Sequence, residues 1–207
     1  MTPEEARIVA HVCGDGSLFQ STEKTLQIVR GRKYKQLRKR YYIDYCNYDQ
    51  GLLDEFARDL LTVYGISSRR TKDSVRTKSK RVFDRIRQLG CGQTYDWYVS
   101  KEVFNSSKDC KRAWLRAFFD DECTVSNNPR RYVKIKSMNK KGLKQVGKLL
   151  DEFSIQYRFT GPNCDNSFYL TISRAEFIRK FAEEIGLNQQ ARKARLASIV
   201  KETKSSF

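Results

Sequence analysis

The chain has 207 residues, with 41 Lys plus Arg, 24 Asp plus Glu and one His, for a formal net charge of +17. That length suffices for one large domain or two small ones with a real core, and the basic surplus exceeds what solubility needs, so nucleic acid is the first candidate partner and an anionic membrane surface the second. No long apolar span, basic amphipathic tail or signal peptide (MTPEEARIV) is found, so no membrane association is expected, and the expected compartment is intracellular: cytoplasmic, nucleoid-associated or organellar.

Six cysteines (Cys13, Cys46, Cys91, Cys110, Cys123 and Cys164) lie far apart with no CxxC pair, which argues against a structural zinc site. They read as buried or half-buried thiols in a reducing compartment, with disulfide pairing left open.

In chain order, residues 8–19 come first: IVAHVCGDGSLF, an apolar run broken at Gly14-Asp15-Gly16. Asp15-Gly16 alone signals a hairpin turn, whereas a helix ending here puts Asp15 at its C-terminal edge. RGRKYKQLRKR (30–40) carries seven basic residues and no acid, and runs into the strand-like YYIDYC (41–46). Leu53, Phe56 and Leu60 share one helical face, ahead of LLTVYGISSRRT (60–71). From Arg69 to Arg87, nine basic residues accompany only Asp73 and Asp84, and VFDRIRQLG closes a helix at Gly90.

AWLRAFFDDECTV (113–125) has a helical pattern in Ala113, Leu115, Ala117, Phe118 and Phe119. YVKIK (132–136) alternates, so Val133 and Ile135 face the core and Tyr132, Lys134 and Lys136 face outward. From Arg130 to Lys148 there are eight basic residues and no acid. Leu143, Val146 and Leu150 form a helix face leading into LLDEFSIQYRFT (149–160). SFYLTIS (167–173) is a strand, and EFIRKFAEEIG closes a helix at Gly186. The basic runs, interleaved with Tyr34, Tyr41, Tyr42 and Tyr132, suit a phosphate-contacting surface.

The chain repeats itself. LLTVYGISSRRT aligns without a gap on LLDEFSIQYRFT, with Leu60/Leu149, Leu61/Leu150, Ile66/Ile155, Arg69/Arg158 and Thr71/Thr160 identical. Each copy has a strand before it and a strand and a helix after it. The opening run then recurs as AWLRAFFDDECTV, where no Asp-Gly turn exists, and this favours the helix at both positions. Ala6, Ala10 and Gly14 fall at four-residue steps, as do Ala113, Ala117 and Asp121, forming stripes suited to close helix packing.

Ile8–Gly16 and Leu115–Cys123 resemble two copies of the LAGLIDADG motif of homing endonucleases. The resemblance covers nearly the whole chain. It implies an α+β fold of two pseudo-symmetric αββαββα halves whose pair of antiparallel sheets forms a DNA-binding saddle. The halves would be residues 1–100, with motif helix 4–15, and 101–207, with motif helix 111–122. Two residues depart from the motif: Cys123 replaces its final Gly, and Asp121 replaces a small residue and is expected at the helix end near solvent or metal.

The resemblance implies a monomeric, site-specific double-strand DNA endonuclease, encoded in an intron or intein. Asp15 and Glu122 are its catalytic acids and metal ligands, joined by the main-chain carbonyls of Gly14 and Asp121. Two carboxylates at helix C-termini make a hard-oxygen site suited to Mg²⁺; Mn²⁺ is expected to substitute, and Ca²⁺ to bind without supporting cleavage. The expected chemistry is metal-assisted hydrolysis of one strand by each acid. His11 reads as a packing or hydrogen-bonding residue, and Arg192 or Lys193, in NQQARKARL, as catalytic support by family analogy.

Base reading is expected from outward strand residues: Arg30, Arg32, Lys33, Lys35, Arg38, Arg40, Arg70, Lys72, Arg76, Lys78, Lys134, Lys136 and Arg158. The motif acids are further apart in sequence than the aligned helix ends, so the first hairpin is the longer and the target long and asymmetric. The rival reading within the same fold is an RNA maturase or a nucleic-acid-binding protein that does not cleave.

Overall fold

The structure, a computed structural model, describes residues 1–204. The last three residues of the expected second half, 205–207, lie outside the described residues.

Helix α1 (Pro3–Cys13) starts where Thr2 accepts the Glu5 N–H at 3.2 Å and Pro3 supplies a preset φ. It is followed by β1 (Gly16–Val29), β2 (Arg32–Cys46), α2 (Gln50–Tyr64), β3 (Arg69–Arg70), β4 (Ser74–Lys78) and α3 (Lys80–Gln88). After the short α4 (Lys101–Phe104), the order returns as α5 (Lys108–Glu122), β5 (Cys123–Ser126), β6 (Tyr132–Ser137), α6 (Lys140–Glu152), β7 (Arg158–Thr160), β8 (Phe168–Ile172) and α7 (Ala175–Glu184), closed by α8 (Gln190–Lys204).

Each half builds one four-stranded antiparallel sheet, in the orders β1-β2-β4-β3 and β5-β6-β8-β7. The identical order is the three-dimensional form of the repeat. Equivalent caps recur too: Asp49 caps α2 and Asn139 caps α6, each accepting N–H groups of the first turn. Gly65 ends α2 at φ 66°, a left-handed conformation that glycine adopts at no steric cost.

The core sits between the sheets and the helices, with α1 and α5 packed side by side through its middle. Each buries an apolar face, Ile8, Val9 and Val12 on α1 and Trp114, Leu115, Phe118 and Phe119 on α5, while charged residues gather at the start of α5. Ala6, Ala10, Ala113 and Ala117 are all buried, as the small-residue stripes require. A Cβ on Gly14 would lie 2.8 Å from Asp121 Cβ, so the helix ends approach where glycine has no side chain.

The expected motif helix 4–15 is shorter than its sequence pattern, since α1 ends at Cys13. Gly14 leaves helical geometry at φ −84°, ψ −98°, and Gly16 already pairs with Tyr45 in the sheet. Helix α5 begins earlier than expected, at Lys108, because Ser107 caps it.

The hairpins differ greatly. At 14 and 15 residues, β1 and β2 pair along their whole length and turn at Arg30-Gly31, both left-handed, a two-residue turn whose twist matches its strands. Only Tyr42–Cys46 of β2 pairs with β4, so most of this hairpin, about 45 Å long at about 3.3 Å per residue, is a free two-stranded ribbon. At 4 and 6 residues, β5 and β6 are far shorter.

All six cysteines are free thiols; Cys46 and Cys164 are exposed, where half-buried or buried positions were expected, because they lie at a strand end and in a loop. Among the described residues, no helix is long and apolar enough to cross a membrane.

Candidate functional site

Because α1 and α5 run alongside each other, Asp15 and Glu122 emerge at the same end of the pair. Asp15 lies just past α1 and Glu122 is the last residue of α5. They line different cavities. Asp15 lines a cavity of ≈ 1080 Å³ with Asn47, Asp49, Gln189 and Arg192. Glu122 lines one of ≈ 680 Å³ with Gly14, Gly16, Thr94 and Lys136.

Desolvation at the helix ends, with Asp121 nearby, pushes the Asp15 carboxyl up to about 6, against the opposing pull of Arg192 and His11. Partial burial, then the charges of Asp15 and Asp121, push Glu122 up to about 7. For both acids burial is the larger cause and the neighbouring carboxylates the smaller, with Arg192 opposing them.

Asp121 lies between them at the helix end, on the wall of the Asp15 cavity, with its side chain buried. Its Oδ2 lies 2.9 Å from His11 Nδ1, and its Oδ1 accepts from Tyr45 Oη at 2.7 Å and Asn47 Nδ2 at 3.2 Å. The close packing that normally calls for a small residue is met by Gly14 opposite, which leaves room for this carboxylate. Burial lowers the His11 pKa, but the Asp121 carboxylate more than offsets it, so the imidazole is held above its usual range. His11 thus has the hydrogen-bonding place expected of it.

The neighbouring Asp120 accepts the Asn188 and Gln189 N–H groups, both at 2.8 Å, and so ties the start of α8 to the end of α5. Its burial pushes its carboxyl up to about 7 even against those bonds. Arg192, on the first turn of α8, donates to the main-chain oxygens of Asp120 and Asp121, the latter at 3.1 Å. It is a cation at a helix C-terminus. Lys193 is exposed and outside the Asp15 cavity, so of the two expected supports only Arg192 is near the acids.

Among the described residues, no three His, Cys, Asp or Glu side chains form a cluster fit to hold a metal. The available donors are the carboxylates of Asp15 and Glu122 and nearby peptide oxygens, of which the Asp121 oxygen already accepts one hydrogen bond from Arg192. Such a sparse, hard-oxygen set fits a cation of the Mg²⁺ type, which keeps most of its positions for water and phosphate oxygens.

The strand register sorts the basic residues by face. Phe19 stacks on Tyr42 at 4.8 Å, with Arg76 and Lys78 above them, and this outer face continues along the ribbon through Arg40, Arg38, Gln36, Tyr34 and Arg32. Lys33 and Lys35 lie on the opposite face, in line with buried Ile43 and Tyr45, because side chains alternate along a strand. Arg30 is in the turn. Arg70 turns back to α2, where it donates to Asp54 at 3.2 Å and Gln50 at 2.8 Å, and Lys72 lies in the loop before β4. In the second half, Lys134, Lys136 and Arg158 share the outer face, with Arg158 aligned to Lys134 through Thr171. Val133 and Ile135 are fully buried behind them. The run from Arg130 to Lys148 is only partly strand, its last four lysines lying on α6.

Residues 109–186 match the family described as LAGLIDADG-like domain. The fold matches a structure of mesophilic variants from the homing endonuclease I-DmoI, with a TM-score of 0.64 and 16% identity over 88% of this chain and 90% of that one. The complex of I-DmoI with DNA and Mn gives 0.64 and 16% over 89% of this chain and 96% of that chain. The chain has the LAGLIDADG fold. Its two halves, led by α1 and α5, lie in one chain. The N-terminal LAGLIDADG domain of DUF199/WhiA is similar as well, with a TM-score of 0.55 and 15% identity over 97% of this chain and 89% of that one. No curated protein matches the sequence.

Around the two LAGLIDADG helix ends the structure adds residues that the sequence reading missed. Tyr45 looked like another strand aromatic, and Asn47 is one polar residue in a loop; only the sheet pairing carries them to Asp121. Asp120 was lost within the acidic run of the second motif. Arg69, paired with Arg76, takes the outer face where Arg70 was expected.

Proposed function

We propose that this chain is a site-specific double-strand DNA endonuclease, acting as a monomer by divalent-metal-dependent phosphodiester hydrolysis, with Asp15 and Glu122 each serving one strand. The observation that carries the proposal is the convergence of these two acids at one end of the α1–α5 pair, between the two sheets. Support also comes from the DNA and metal ions present in the I-DmoI structures with Mn and with Ca.

Asp15 and Glu122 would hold Mg²⁺, with Mn²⁺ as a substitute. When bound, the ion supplies an activated water and charge stabilisation at the leaving 3′ oxygen. Arg192 holds the carbonyl end of α5 and lends positive charge beside Asp15. The outer faces of both sheets bind phosphates and read bases, so the first half spans the longer part of an asymmetric site. The two functional halves meet near residue 100, and the site of action is inside the cell that carries the target.

A second reading, a nucleic-acid-binding protein of this fold that does not cleave, is favoured by one observation. Arg192 already donates to the Asp121 carbonyl, one of the expected metal ligands, and its positive charge competes with an ion there. The deciding experiment incubates the protein with a plasmid library, with and without Mg²⁺ or Mn²⁺, and sequences linear ends. The expected result is metal-dependent breakage at one long site, lost in Asp15→Asn and in Glu122→Gln while binding persists. Binding with no breakage in either metal overturns the endonuclease proposal.

A further inference from the structure

We infer that Asp121 is a positioning residue for Asp15, acting through Asn47, so that one motif helix orients the acid that follows the other. The inference rests on the reading of Asp15 and Glu122 as the cutting acids, and it makes the two strand cleavages unequal.

Asn47 is the link. Its Nδ2 donates toward Asp15 Oδ2 at 3.2 Å, Asp121 Oδ1 at 3.2 Å and Tyr45 Oη at 3.1 Å, the last itself bonded to Asp121, and its Oδ1 accepts the Asp49 N–H at 2.9 Å. With the amide oxygen engaged by a donor, the NH₂ group must face the two carboxylates, so its orientation is set from both sides. Asp121 is a rigid anchor: its carboxylate is fully buried and held by His11 and Tyr45. Asp15 lies on the wall of its cavity, and apart from Asn47 its side chain has no hydrogen-bond partner among the described residues.

Glu122 lacks the equivalent device. The strand registers place Ser137 where Asn47 stands in the first half, two residues beyond Ile135 as Asn47 is beyond Tyr45. The Ser137 Oγ accepts the Asn139 N–H at 3.1 Å instead of reaching Glu122. The counterpart of Asp121 is Gly14, which has no side chain to contribute. Among the described residues, Glu122 has no side-chain hydrogen bond or ion pair. One acid is held and the other is free to find its place when substrate binds.

The experiment follows each strand separately, using an end-labelled duplex containing the cleaved site, with Asp121→Asn and Asn47→Ala; the second variant cuts the link without disturbing the core. The strand served by Asp15 is the one that Asp15→Asn slows more. Expected is a loss of roughly 10–100-fold on that strand, the range for a displaced catalytic group. In Asn47→Ala the other strand should stay within about twofold, nicked product should accumulate and metal-free DNA affinity should be unchanged; in Asp121→Asn, whose charge also reaches Glu122, the Asp15 strand should still be slowed the more. Equal slowing of both strands, or of neither, overturns the inference. If the unaltered protein cuts nothing, the endonuclease reading fails by itself. The positioning claim is then decided in metal-free protein by the ¹⁵N-labelled side-chain amide of Asn47. Its proton resonances should move in both Asp15→Asn and Asp121→Ala; unmoved resonances overturn it.

Discussion

His11 and Asp121 meet at 2.9 Å in the last turns of α1 and α5, each with its side chain fully buried. One residue comes from each half, so the contact joins the two parts of the chain at the point where they pack most closely. A buried carboxylate is tolerated only with its charge and lone pairs answered, and here His11, Tyr45 and Asn47 answer them.

Removing one partner leaves the other buried and unanswered. Asp121→Ala is expected to cost about 3–5 kcal/mol of unfolding free energy, the range for breaking a buried pair. The double variant His11→Ala/Asp121→Ala should cost less than the sum of the singles. Urea unfolding of the four proteins measures this, and additive losses would show that the two side chains do not interact.

Gly14→Ala tests the close approach from the other side. The added Cβ falls 2.8 Å from Asp121 Cβ and 2.9 Å from its Oδ2. The expected loss is about 1–3 kcal/mol, typical of overpacking. Shortening the opposing side chain, as in Gly14→Ala/Asp121→Gly, should recover part of the steric component, so the two changes should be non-additive in thermal unfolding.

The raised carboxyls give a pH signature. Asp15 rises from 3.8 to about 6 and Glu122 from 4.5 to about 7, so folding penalises their charged forms. Their favourable contribution is fully present below about pH 4 and lost as pH climbs through 6–7. Relative to the unaltered protein, metal-free Asp15→Asn and Glu122→Gln should therefore gain thermal stability at pH 8, a gain that shrinks toward pH 4. Added Mg²⁺ should raise the Tm of the unaltered protein more at pH 8 than at pH 5. A pH-independent difference between variant and parent would refute the assignment.

The two faces of the long ribbon should behave differently. Arg38→Ala, on the outer face, should relax preference at one or two base pairs at a cost of about 1–3 kcal/mol for the preferred base. Lys33→Ala and Lys35→Ala, on the opposite face, should leave sequence preference unchanged. Selection from randomised duplexes reads both effects; altered preference in the lysine variants would contradict the register.

Much of this was legible in the sequence because it depends on local periodicity. The gapless match of 60–71 to 149–160, the small-residue stripes, and the alternation in YVKIK all depend on neighbours within a few turns or strand positions. They suffice for two similar halves, paired motif helices, and the outward placement of Lys134 and Lys136 in a basic surface. The resemblance to the motif is what named Asp15 and Glu122, and the folded chain puts both at the same end of the helix pair.

Other features needed the folded chain. Basic density in residues 30–40 cannot tell Arg32 from Lys33, since their faces depend on the β1–β2 register, and it cannot tell Arg69 from Arg70, whose faces are set by pairing with β4. The site of Asp121 depended on Gly14, Tyr45 and Asn47, three residues brought to it from the other half. Periodicity within one segment determines which face an element buries; which charges then meet across two elements is decided only by how those faces pack, because the partners are separated by many residues of chain.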